Sequence, residues 1–234
     1  GWLSAWIGWN SLGFAYALLP LALFLLHQSH PLALLPLIFI TLSGHPQVAF
    51  LVLTFCFIYG LYLRLSVRFL AFVFSLTFLI TAVQWLPTAQ YYLEASREHA
   101  SSEFSLDRTV LPWSHLATLI APTFFGHPAT GNYWGSGNFT ETALFAGSAI
   151  FILAVLGWRR SFFNFAALII LLIALPTPLT QLFKIVSLPL ISTSVISRIL
   201  ILLPICLVVS AAYGLDQFKT RQLKKLIVFI GFIF

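Results

Sequence analysis

TALFAGSAIFILAVLGWRRSFFNFAALIILLIAL, residues 142–175, is a pair of apolar runs parted by Arg159 and Arg160. A basic pair between two such runs is the mark of a cytoplasmic loop joining two membrane-spanning helices. The rest of the chain repeats the pattern, with apolar stretches at about 11–27, 32–44, 48–63, 69–87, 142–158, 162–176, 195–213 and 226–234. Mean hydropathy is +0.98 and only 8% of residues are charged, against about 25% in soluble domains. The sequence therefore predicts an all-α polytopic membrane protein with seven or eight transmembrane helices and one large outer loop containing short interfacial helices.

Charge sets the expected orientation. Eight of the twelve Lys and Arg lie in three clusters: Arg64 with Arg68, Arg159 with Arg160, and Lys219, Arg221, Lys224 and Lys225. Alternating spans put all three clusters on one side, and the positive-inside rule makes that side the cytoplasm. The net charge of +6 is thereby explained by loops and not by a nucleic-acid patch. Residues 1–88 are expected to hold the first four spans, 89–141 an extracytoplasmic loop, and 142–234 spans five to eight, the last cut short. The setting implied is a plasma membrane crossed several times. Cys56 and Cys206 fall inside apolar runs and read as small hydrophobes. With no methionine and an apolar run broken off at Phe234, the chain reads as an internal piece of a longer protein.

Five of the six carboxylates, Glu94, Glu98, Glu103, Asp107 and Glu141, sit in the loop 89–141. Residues 89–100 have helix-forming composition. Pro112–Ile120 opens with proline at a first helical position and reads as a short interfacial helix with Trp113 at headgroup level. Residues 121–138 are rich in glycine, proline and aromatics, a loop in which Tyr133 and Trp134 are candidate platforms for stacking a sugar. Glu94, Arg97 and Glu98, at i, i+3 and i+4, form either a solvated helix face or part of a substrate site.

Other polar residues stand where lipid would be expected. Glu141 enters the fifth apolar run and needs a partner or a purpose there. Arg198 is the matching lone cation, four residues into the seventh run, placed to snorkel or to meet an anionic headgroup or phosphate. His45 and Gln47, beside the Gly44 and Pro46 break, offer donors and acceptors suited to sugar hydroxyls at a cavity wall. His27 and His30 read as loop residues. His115 and His127 lack metal-site spacing, so no metal site is assigned. Asn138-Phe139-Thr140 matches a glycosylation acceptor that would be idle in a bacterium.

Several short motifs together resemble a known family. Gly44-His45-Pro46-Gln47 opens a run ending in Ile58-Tyr59-Gly60, and Leu86-Pro87-Thr88 precedes Ser96-Arg97. Ala121-Pro122-Thr123-Phe124-Phe125-Gly126 leads to Tyr133-Trp134-Gly135, Glu141 and Gly147, and Arg198 begins a run ending in Tyr213-Gly214-Leu215-Asp216. Over nearly its whole length the chain is similar to the bacterial YfhO family of membrane proteins, relatives of the GT-C glycosyltransferases. The resemblance implies transfer of a sugar from a polyprenyl-phosphate carrier to a cell-envelope glycan on the outer face. It also implies that the general base, an aspartate of the first outer loop, lies upstream of Gly1. The binding residues would be His45, Gln47, Glu94, Arg97, Tyr133, Trp134, Glu141 and Arg198. A divalent cation is the one cofactor that this chemistry leaves open, to share the charge of the departing phosphate. Two other readings compete: a flippase or transporter of lipid-linked sugars, favoured by short proline-broken runs, and a non-catalytic membrane subunit.

Overall fold

The computed structural model describes residues 11–94, 110–185 and 195–217, and among these the structure is helical with no strand. In the N-terminal half, α1 (Ser11–His27), α2 (Leu34–Thr41), α3 (Pro46–Tyr62), α4 (Val67–Ile80) and α5 (Ala82–Glu94) follow one another through tight turns. Three local devices start them. His45 caps α3 by accepting from Val48 N–H at 3.3 Å, with Pro46 at the first helical position. Ser66 caps α4 by accepting from Phe69 N–H, and a 3-10 turn at Pro31–Ala33 leads into α2. Each cap satisfies a backbone donor that the helix cannot.

In the other half, 3-10 turns at Trp113–Leu119 and Pro128–Thr130 build the loop, and a four-residue helix, α6 (Phe139–Thr142), closes it. Helices α7 (Ser148–Leu156), α8 (Phe162–Ala174) and α9 (Pro178–Ile185) follow. A 3-10 segment, Ile196–Leu202, runs directly into α10 (Leu203–Gln217). Helix α10 packs chiefly on α7 and α8, while α1 packs on α2 and α3. The α7–α10 contact is backbone against backbone, because Gly157 and Gly214 face each other with no room for a Cβ on either. The two halves meet through Phe55 and Tyr59 of α3, whose rings lie 5.1–6.4 Å from those of Phe162 and Phe163, inside one continuous hydrophobic core. Among buried polar groups, Asn164 of α8 bonds Ser210 of α10 and donates to Arg159 C=O at 2.9 Å.

The expectation of seven or eight membrane-spanning helices does not hold. Among the described residues one helix, Ile196–Asp216, is long and apolar enough to cross a membrane, and a second only if Val67–Ile80 and Ala82–Tyr91, bent by 68°, count as a single span. The multi-pass topology, with Arg64 and Arg159 in cytoplasmic loops, loses its support for the same reason. Apolar composition is present throughout, but helix length is not. The 69–87 run breaks at Thr81, between the two helices bent by 68°, where the Thr81 hydroxyl donates back to Thr77 C=O at 2.8 Å. The 142–158 run yields a helix of only nine residues, because Gly147 takes φ +118° before it. The remaining apolar helices, Gly13–His27, Pro31–Thr41, Pro46–Tyr62 and Phe162–Ala174, are also shorter, where about 20 residues are needed.

The Pro112–Ile120 helix appears as the 3-10 turn Trp113–Leu119, with His115, Thr118 and Leu119 buried and Trp113 exposed. Helix α5 runs through Pro87 to Glu94. Arg97, Glu98, Glu103, Asp107 and the Lys219–Lys225 cluster lie outside the described residues.

Candidate functional site

The 3-10 segment at the head of the long helix carries Arg198 to a point where three distant pieces of chain converge. Its Nε and Nη2 both donate to one oxygen of Glu141, Oε1, at 3.2 and 2.9 Å. Its Nη1 donates to Gln47 Oε1 at 3.0 Å. The Gln47 amide in turn donates from Nε2 to Val195 C=O at 3.0 Å, so both ends of that buried side chain are used. Val195 C=O also accepts from the Arg198 backbone N–H at 3.3 Å. The side chains of Arg198 and Glu141 are 23% and 14% exposed, which leaves the pair partly screened but reachable.

His45 belongs to this group. Burial, and then the nearby Arg198 guanidinium, hold its pKa below the ordinary histidine value, against a smaller raising contribution from its own backbone hydrogen bond. Because Nδ1 accepts the Val48 N–H, the neutral ring carries its proton on Nε2. Thus His45, Gln47, Glu141 and Arg198, spread over more than 150 residues of sequence, form one neighbourhood at the α3 N-terminus.

Glu141 also lines a small, open cleft of about 30 Å³ with Val110, Pro112, Ser136, Gly137, Asn138, Thr142 and Ser197. Since Arg198 takes a single carboxylate oxygen, Oε2 of Glu141 has no partner among the described residues. The loop above is held by its own bonds. Asn138 Oδ1 accepts from Thr140 N–H at 3.0 Å and Thr140 Oγ1 at 2.8 Å. Thr142 Oγ1 donates to Asn138 C=O at 3.2 Å, and buried Thr118 ties the turn Trp113–Leu119 to Thr142 and Leu144.

The other expected residues are placed differently. Tyr133 stands beside the cleft, donating to Ser136 C=O at 3.2 Å and lying edge-on to Phe139. Its hydroxyl thus supports the loop. Trp134 packs edge-on to Phe125, 4.7 Å between centroids, and stays largely exposed. Glu94 ends α5, where it accepts from Gln90 at 3.0 Å on an exposed surface, and among the described residues no contact joins it to the cleft. Arg97 lies outside the described residues.

Sequence reading missed Ser136, Asn138, Thr142 and Ser197 as cleft residues, and considered His115 only as a metal ligand. Small polar residues in a glycine-rich loop leave no periodic signal. Asn138 alone carries one, as an N-cap residue ahead of Glu141. Among the described residues no group of three His, Cys, Asp or Glu could hold a metal ion. No family model, no curated protein and no solved structure matches this chain.

Proposed function

We propose that this chain forms part of a membrane glycosyltransferase that moves a sugar from a polyprenyl-phosphate carrier to a cell-envelope glycan, with the Glu141 cleft as its acceptor side. The observation that supports the reading most is the half-used carboxylate. Arg198 fixes Glu141 through Oε1 and leaves Oε2 to the cleft, a placement suited to accepting a hydrogen bond from a sugar hydroxyl. Arg198 is less suited to clamp a phosphate unaided, because its charge is already met by Glu141.

A membrane setting is part of the proposal. Ile196–Asp216 combines seven residues of 3-10 helix with an α-helical remainder, roughly 35 Å in all against a hydrocarbon core of about 30 Å. Large apolar side chains stand exposed along the bent α4–α5 pair, among them Phe78, Leu79, Val83, Leu86 and Leu93, a surface that water does not favour. The basic cluster Lys219, Arg221, Lys224 and Lys225 follows the Asp216 end in sequence. That end therefore faces the bacterial cytoplasm and Arg198, with the 110–141 loop, faces outward.

The test is deletion of the full-length gene in its host followed by chemical analysis of the envelope glycans. Loss of one sugar substituent is expected. An unchanged glycan profile, under conditions where the gene is expressed, would refute the reading.

A further inference from the structure

A second polar pair lies under the same cleft. His115 is 1% exposed and stacks on Phe125, with ring centroids 4.3 Å apart and planes at 18°. Its Nε2 is 3.1 Å from Ser136 Oγ, and its Nδ1 is buried without a hydrogen-bond partner. Ser136 is exposed, sits between Gly135 and Gly137, and lines the cleft.

A histidine–serine contact of this length has two chemical readings. In one, Nε2 accepts the serine proton and primes Oγ as a nucleophile. That puts an N–H on Nδ1, buried with nothing to accept it, but the other tautomer leaves a bare lone pair there at a comparable cost of about 1–3 kcal/mol, so this alone does not separate the two. The first reading also requires a partner on Nδ1 to steady the imidazolium that forms, and none is present among the described residues. Burial further opposes a charged ring, holding the His115 pKa below its ordinary value. In the other reading Nε2–H donates to Ser136 Oγ, and the serine hydroxyl proton is free to turn outward. The surroundings favour this second reading.

We infer that His115 is a positioning residue that fixes Ser136 as a hydrogen-bond donor into the cleft, and that Ser136 together with the free oxygen of Glu141 recognises the hydroxyl-bearing edge of a neutral polyhydroxylated ligand. The complement is mixed in the way hydroxyls require. Ser136 O–H gives, and so does the Asn138 amide NH2, since the Asn138 Oδ1 is taken by Thr140. Glu141 Oε2 accepts. A sugar hydroxyl can both give and take without charge, whereas the negative charge of a phosphate would be repelled by the open carboxylate oxygen. The cleft is small and open, about 30 Å³, so it engages one polar edge of a ligand and does not enclose it. This inference rests on the proposed role of the cleft as substrate-facing, but its test reads binding alone.

The experiment is saturation-transfer NMR on the full chain in a detergent without a sugar headgroup, with methyl glucoside, methyl galactoside, methyl N-acetylglucosaminide and inorganic phosphate as probes. At least one methyl glycoside should bind and phosphate should not. Ser136→Ala, an exposed change that spares the core, should weaken glycoside binding about fivefold or more, as loss of one hydrogen bond does. His115→Leu should weaken it similarly, while His115→Gln, which keeps a donor near the Nε2 position, should retain it. Wild-type affinity in Ser136→Ala, binding of phosphate in place of every glycoside, or covalent labelling of Ser136 by a fluorophosphonate would each overturn the inference. Ser136-dependent glycoside binding together with an unchanged envelope in the deletion strain would leave this inference standing and remove sugar transfer.

Discussion

Arg198 grips Glu141 by one oxygen only, with Nε at 3.2 Å and Nη2 at 2.9 Å from Oε1. A fork-to-fork pair would use both carboxylate oxygens and be closed to further chemistry. Here the third guanidinium nitrogen is spent on Gln47, so the arginine holds two chain segments together and leaves the carboxylate half open. Structure and site therefore share the same side chains.

A double-mutant cycle on this pair follows. Arg198→Gln and Glu141→Gln should each lower the thermal stability of the detergent-solubilised chain, and the two should be non-additive by about 1–2 kcal/mol, as expected for a pair that is only partly screened from water. Arg198→Lys should not restore stability, since a point charge cannot reach both Glu141 and Gln47. Simple additivity in the cycle would mean that the pair contributes nothing to folding.

Acid should destabilise the fold through two histidines. Burial, then Arg198, lowers the pKa of His45, and burial lowers that of His115. The unfolded chain therefore binds more protons than the folded one as pH falls below the ordinary histidine value of about 6.5. The stability these groups contribute is present in full above that pH and is lost as pH falls from there towards the lowered folded values. Melting curves between about pH 8 and pH 5 should slope accordingly. His45→Asn keeps the cap, because an asparagine oxygen can accept the Val48 N–H, and should flatten part of the slope. A slope unchanged by that substitution would show that His45 is not the titrating group.

The close approach of α7 and α10 gives a packing test. A Cβ at Gly157 would overlap the backbone of Gly214, and one at Gly214 would overlap the carbonyl of Leu153. Backbone cannot step aside as a side-chain tip can, so Gly157→Ala should cost about 1–3 kcal/mol or more. Gly13, where an added Cβ meets nothing within 4 Å, is the control. There Ala should be neutral or stabilising by up to about 1 kcal/mol. Equal melting temperatures for Gly157→Ala and wild type would contradict the packing.

The polar cluster was readable in outline because a carboxylate and a cation placed in apolar runs demand partners. Glu141 and Arg198 stand out on charge alone, and His45 and Gln47 stand out at a Gly–Pro break. Helix length was not readable in the same way. Hydropathy registers Thr81 and Gly147 as ordinary members of apolar runs, yet α4 stops before Thr81 and α7 starts only after Gly147, a positive-φ glycine. The count of spans taken from composition therefore exceeded what the backbone forms. The contact between Ser136 and His115 was invisible for a third reason. They meet across 21 residues of irregular loop, where no periodicity announces a contact.

The central claim is tested most directly by complementing a host strain deleted for the full-length gene with wild-type and Glu141→Gln forms, then measuring the envelope glycan substituent and the membrane abundance of each protein. Wild type should restore the substituent. Glu141→Gln should reach the membrane in comparable amount yet restore it to roughly a tenth or less, a loss of about 1.4 kcal/mol or more in transition-state stabilisation. Full restoration by Glu141→Gln at equal abundance would contradict the account.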